Sequence, residues 1–225
     1  MFLAIPMDTV VTPVEGFPEL VPRSFRIREP FAYLDIETTG LCPSRCSITA
    51  VGILRRDRTG ALLEQFFVSH PQEEAKVLVD VVGALRQLEC VVSFNGLAFD
   101  LPFIRARARR SGLSVPRVHA LDLLPMARRW RKRRGVPENC RLQTLARHFK
   151  IPRTDKASGT EVISAYKRWL ETGDPEERRL ILHHNADDLM ALPELAAFLD
   201  AGSMQRASRV RSHMPRSRPG ERVRT

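Results

Sequence analysis

The run HHNADD at residues 183–188 sets two histidines beside two aspartates, and two acidic runs stand far upstream of it: YLDIETTG at 33–40 and SFNGLAFD at 93–100. In a strand the side chains alternate, so Asp35 and Glu37 share one face while Leu34 and Ile36 take the other. Like charges side by side on a sheet are unfavourable unless a cation compensates them. Hard oxygen donors of this kind suit Mg²⁺ or Mn²⁺. The competing reading is an edge strand with two solvated acids; the TTG turn favours the ligand, because small hydroxylated residues and glycine let a backbone approach closely.

In SFNGLAFD a strand is expected to end at Asn95, and a glycine-containing loop then delivers Asp100 to the start of a helix. Sites of open α/β sheets collect at the carboxyl ends of strands, which puts Asp100 near Asp35 and Glu37. Its plain alternative is a helix N-cap. Asp122 in HALDLL reads as a cap or as a supporting residue. On the helix that carries HHNADD, at about 100° per residue, Leu192, Leu195 and Leu199 lie within about 40° of Ile181 and define a buried stripe. Asp188 falls at about −20° and His184 at about −60°, one turn apart on the same side, whereas His183 lies about 160° away and Asp187 also points outward. A carboxylate on an apolar face is costly unless it is paired or binds metal. Asp188 is therefore a fourth ligand candidate, with His184 beside it.

These residues need a sheet and helices to meet. FAYLDIE reads as a buried strand, and SITAVGILRR with ALLEQFFVSH, joined by DRTG, as a hairpin extending it. EEAKVLVDVVGALRQL predicts a helix, VVSFN a strand, DLPFIRARARR a helix and RVHALDL a further strand. From Pro125 onward the pattern is helical. The fold class is α/β, one domain over 31–202, with residues 1–30, punctuated by five prolines, as an extended arm. After Gly202 come seven arginines against one glutamate, which predicts a disordered basic tail at 203–225. The net charge of +10 favours a polyanionic partner, nucleic acid first. Cys42, Cys46, Cys90 and Cys140 form no paired CxxC sets and read as free thiols of a cytoplasmic protein. No stretch reads as a signal peptide or membrane span.

Taken in order, LDIETTGL, SFNGLAFDLPFI, ALDLLPMARR and HHNADDLMAL resemble the successive motifs of the DEDD exonucleases, which have a ribonuclease H-like mixed sheet flanked by helices. Within that superfamily, RLQTLARHFKIPR and the helix ending WLETGDPEE resemble the YprB-type domain. The resemblance spans about residues 31–200. It implies a two-metal-ion 3′-to-5′ exonuclease acting on single-stranded nucleic acid, DNA favoured, or on its 3′ ends, with nucleoside 5′-monophosphate products and a place in DNA repair. The metal-binding quartet would be Asp35, Glu37, Asp100 and Asp188. Thr38 and Leu41 would sit near the terminal nucleotide, and Asn95 with Phe99 would shape the substrate loop. One branch of the superfamily has tyrosine at the position of His184 and another has histidine at the position of His183; this chain has histidine at both, and the stripe favours His184 as the base.

RARARR at 105–110, beginning with Arg105, and RRWRKRR at 128–134 offer phosphate contacts, with Trp130 as a stacking platform. Two other classes use the same features: an endonuclease or structure-specific nuclease on this fold, and a noncatalytic nucleic-acid-binding adaptor of a helicase partner. End-labelled against circular substrate separates the first, and loss of activity on removing an acid separates the second. Deleting residues 203–225 should weaken nucleic-acid binding and flatten its salt dependence without removing catalysis. An unchanged salt slope in a titration would count against it.

Overall fold

The computed structural model describes residues 9–14, 27–56 and 60–212. Six strands form one sheet: β1 (Thr9–Val14), β2 (Phe31–Thr38), β3 (Ile48–Arg56), β4 (Ala61–Phe67), β5 (Cys90–Ser93) and β6 (His119–Asp122), in the order β1-β4-β3-β2-β5-β6. The β1–β4, β4–β3 and β3–β2 pairs are antiparallel, whereas β5 and β6 run parallel to β2. The helices are α1 (Glu74–Leu85), α2 (Asp100–Arg110), α3 (Leu123–Arg134), α4 (Leu142–Phe149), α5 (Gly159–Thr172) and α6 (Pro175–Ser212).

Two expectations change. The segment read as an arm contains β1, whose residues Thr9–Val14 pair with Phe66–Ala61, so the sheet begins before Phe31. At the other end, α6 passes Gly202 and continues to Ser212, so the composition change does not end the helix there; residues 213–225 lie outside the described residues. Arginine and serine are tolerated in a helix, which is why the shift in composition alone misplaced the boundary.

Strand β2 is covered on both faces, and its period of two sorts its residues between them. Ala32, Leu34 and Ile36 pack with Val77, Val81 and Ile104 of α1 and α2. Tyr33 packs the other way, with Leu189, Leu192 and Leu195 of α6. Asp35 and Glu37 have the parity of Tyr33, so the α6 face of the sheet is apolar at one end of β2 and acidic at the other.

The approach of α6 to that face depends on Gly52, which stands opposite Asp35 in β3. A Cβ there would lie 2.2 Å from Asn185 Oδ1 and 2.3 Å from Leu189 Cδ1. Asn185, fully buried, spans the three central strands: its Nδ2 donates to Asp35 Oδ2 (2.8 Å), and its Oδ1 accepts from Gln65 Nε2 (2.9 Å). Gln65 is the β4 partner of Gly52 and also donates to Leu182 O at 2.7 Å. Helix and sheet are thus keyed together by one row, Asp35–Gly52–Gln65. Gly52→Ala should cost about 1–3 kcal/mol, the usual range for overpacking, in denaturant unfolding of the full chain; a wild-type midpoint would show that α6 can back away freely.

Candidate active site

Each acidic side chain is positioned by a separate local device. Asp35 and Glu37 lie at the carboxyl end of β2, where the pairing with β3 is irregular between Glu37 and Thr38. The following turn is closed by Thr38 Oγ1, which donates to Gly40 O at 2.9 Å. Asp100 is the first residue of α2 but does not cap it; buried at 4% exposure, it accepts from Ile36 N at 3.1 Å and so bridges back to β2. The capping role belongs to Asp122, which accepts from Leu124 N (2.9 Å) and from Asn95 N (2.8 Å). It therefore holds both the start of α3 and the loop before α2. That loop turns at Asn95, whose φ of 71° is left-handed, beyond the end of β5 at Ser93. Gly96 is required in it, since a Cβ would meet Ser93 Oγ at 2.1 Å.

Asp188 comes from α6, and all four ionisable residues of HHNADD meet one strap, residues 153–155, between α4 and α5. Arg153 Nη1 lies 2.5 Å from Asp188 Oδ1. His184 Nδ1 and Asp155 Oδ2 are 2.6 Å apart, both buried. His183 Nε2 lies 2.7 Å from Thr154 Oγ1, and Asp187 Oδ2 accepts from Thr154 N (2.6 Å) and Asp155 N (2.7 Å). His183 keeps 46% of its side chain exposed. Asp187, expected to face solvent, is instead the anchor of the strap, because a carboxylate can satisfy two backbone donors that no strand or helix pairs.

All four acids are raised, and the charge of Asp188 acts on the other three. Burial pushes the Asp35 carboxyl well above the usual range, and the charges of Asp188, Glu37 and Asp100 add to it. Burial likewise raises Glu37, reinforced by Asp188 and Asp100, with Arg153 opposing. Asp100 is pushed up to about 7, by burial first. Burial raises Asp188 as well, against the pull of Arg153 and His184. Asp155 behaves oppositely: burial works against its charge, but donors from Ala157 N and His184, with Arg153 nearby, hold it below the ordinary value.

Such a group of desolvated acids fits a hard divalent cation. Asp188 Oδ1 is buried with no well-aligned hydrogen bond, only the short contact to Arg153, so it could turn to a cation. Among the described residues no three His, Cys, Asp or Glu side chains are already drawn together as a ligand set; Asp188 is turned to Arg153 instead.

The residues expected to meet substrate differ in exposure. Thr38 is buried, Leu41 is 84% exposed, and Phe99 packs on Phe103. Arg105 is exposed on α2, while its neighbour Arg107 is committed to Glu74 and to the loop after β2 through Pro43 O and Ser47 Oγ. Trp130 is half-buried, its ring packing edge-on against Phe149 and His148, at 4.8 and 5.4 Å between centroids. An aromatic among cations on a helix is as well placed for burial as for stacking, and α4 supplies its partners. Sequence reasoning missed Arg153 and Asp155. Both lie in a strap without periodicity, and only its position between two helices that pack on α6 gave any signal.

A mixed sheet with acids at the carboxyl end of its central strand, completed by an acid from the last helix, defines a ribonuclease H-like domain. The chain matches the RNase_H_2 family over residues 32–199 and belongs to that family of the RNase H superfamily. It is 28% identical over 185 residues to an uncharacterized protein of Methanocaldococcus jannaschii, covering 77% of this chain and 98% of that one. Among solved structures it is similar to the family B DNA polymerase of Pyrobaculum calidifontis (TM-score 0.57, 18% identity, 75% of this chain and 24% of that chain). It is also similar to E. coli exonuclease I in complex with a dT13 oligonucleotide (TM-score 0.54, 16% identity, 82% and 44%). The chain spans less than half the length of either, and the likeness is one of fold.

The raised acids set a pH dependence. Asp100, at about 7 in the fold against about 3.9 unfolded, binds its proton more tightly when folded. Its stabilising contribution is complete below about pH 4 and is lost as pH rises through about 7. The melting temperature in EDTA should therefore fall between about pH 5 and 8, and saturating Mn²⁺ should reverse the fall. A flat or rising profile in EDTA would contradict the crowding of these acids.

Proposed function

We propose that this protein is a metal-dependent 3′-to-5′ exonuclease of single-stranded nucleic acid, DNA favoured, related to the YprB-type domain and releasing nucleoside 5′-monophosphates, with DNA repair as its setting. The observation that carries this reading is that Asp35, Glu37, Asp100 and Asp188, from three elements, all have carboxyls raised by burial, with the charge of Asp188 adding to the rise of the other three. These four would hold two Mg²⁺ or Mn²⁺ ions, which supply an activated water and charge for the departing 3′ oxygen when bound. The similarity to an exonuclease I bound to an oligonucleotide supports a nucleic-acid substrate.

His184 is the proton acceptor in this scheme. Asp155 engages its Nδ1, so that nitrogen carries the proton and Nε2 remains free to accept one from the attacking water. The arrangement is that of a carboxylate orienting an imidazole. Thr38 and Leu41 would meet the terminal nucleotide, Asn95 and Phe99 would shape the loop beside it, and Arg105 would contact the backbone.

The test is degradation of 5′-labelled single-stranded DNA and RNA by purified protein with Mg²⁺ or Mn²⁺. Asp35→Ala and Asp188→Ala should each abolish the ladder of products while the protein stays folded. His184→Ala should lower the maximal rate by roughly 10²–10⁴, and His183→Ala far less. Cleavage of circular single strands at a comparable rate would replace the exonuclease with an endonuclease. The reverse order of the two histidine variants would move the base to His183.

A further inference from the structure

We propose that Arg153 is a substrate-binding residue that donates to a phosphate oxygen of the nucleic acid, and that the cavity beside it is where that backbone enters the site. This rests on the nuclease reading for the identity of the ligand and on the geometry for its place.

Arg153 has only 9% of its side chain exposed, and a buried guanidinium is costly unless its charge and its donors are met. Its charge is met: Asp188 lies at 2.5 Å and Asp155 at 3.5 Å. Its donors are not. Nη1 and Nη2 are both buried and neither has a well-aligned hydrogen bond, nor does the facing Asp188 Oδ1. Nη1 is thus held to Asp188 at short range with poor angles, and Nη2 faces Asp155 at 3.5 Å. A residue serving only as counter-ion would gain from closing the bidentate fork that arginine and carboxylate form readily. Two coplanar donors without a well-aligned partner, at the edge of an acidic site, suit a tetrahedral anion whose charge the acids alone would repel.

The surroundings supply the path. A cavity of about 360 Å³ is lined by Gln143, Arg147, Ile151, Arg153, Asp155 and Lys156. Three of these are cations and one is an acid already engaged with His184, and the volume suits about one nucleotide. Arg147 and Lys156 are exposed at its rim, whereas Arg153 is buried. Positive charge therefore continues from the surface to the acids. The strap that presents Arg153 is held by the Asp187 carboxylate at two backbone donors, so the guanidinium is set in place before any ligand arrives.

The test measures binding separately from cleavage. A 5′-fluorescein dT oligonucleotide is titrated with the full chain in Ca²⁺, by anisotropy, at several salt concentrations, for wild type, Arg153→Gln, Arg153→Lys and Arg147→Gln. Cleavage in Mn²⁺ is followed in parallel. Arg153→Gln should weaken binding about tenfold or more and lower the salt slope by roughly 0.7, the loss of one single-strand phosphate contact. Arg153→Lys should recover part of the affinity, and Arg147→Gln, on the exposed rim, should weaken binding severalfold even if Arg153→Gln fails to fold. Wild-type affinity and slope in Arg153→Gln, or in Arg147→Gln where Arg153→Gln does not fold, would make Arg153 a mere counter-ion and overturn the proposal, whatever the cleavage assay shows. Wild-type protein that binds but does not cleave in Mn²⁺, with Arg153→Gln binding weakly, would remove the nuclease reading and leave this one standing.

Discussion

The arrangement depends on the repulsion among four carboxylates that the fold forces together. Asp35, Glu37, Asp100 and Asp188 are all raised, and burial leads the causes in each case. Nothing in the packing of a sheet against helices needs acids at this point. Three local features oppose the repulsion: the Ile36 amide on Asp100, the Asn185 amide on Asp35 and the Arg153 guanidinium on Asp188. Each answers one acid, and Arg153 also lies close enough to Glu37 to lower it. The fold thereby carries partial compensation for a charge that only a cation or a proton fully meets.

The same constraint explains why the centre of the protein is unusually specific. For Asn185 to reach Asp35, α6 must lie closer to the sheet than a side chain at position 52 would permit, and Gly52 with Gln65 supplies the room and the second anchor. Such a buried polar network rigidifies a core only when every member is satisfied, and here the amide of Asn185 is used at both ends. The price in flexibility falls on the helix, which is fixed in rotation; Asp188 and His184, one turn apart, are consequently delivered to the site together.

Much of this was legible in the sequence because it rests on periodicity. The alternation in FAYLDIE put Asp35 and Glu37 on one face, and the apolar stripe of α6 separated His184 from His183. The strands of the hairpin, and helices α1 and α2, follow the same signals. What escaped was structure held by non-repeating contacts. Thr9–Val14 pairs as an edge strand although prolines surround it, since an edge tolerates proline at position 13. The packing of Trp130 on Phe149 and His148 likewise joins residues of separate helices that no periodicity links. Asp100 reads in the sequence as either a cap or a ligand, and the structure shows that it does not cap α2 but accepts from Ile36 N.

The strap at 153–155 shows why such contacts matter more than their lack of pattern suggests. Arg153, Thr154 and Asp155 meet Asp188, His183 and His184 respectively, and Asp187 secures the backbone between them. A helix alone presents residues at fixed angles and cannot choose which imidazole nitrogen carries a proton. A second chain segment laid along it can, because its side chains arrive from a different direction. The two histidines of HHNADD are chemically identical in sequence and become different through this segment: one exposed beside a threonine hydroxyl, the other buried against a carboxylate held below its ordinary pKa. The distinction between an exposed histidine and a buried one paired with a carboxylate is thus set outside the helix that bears them both.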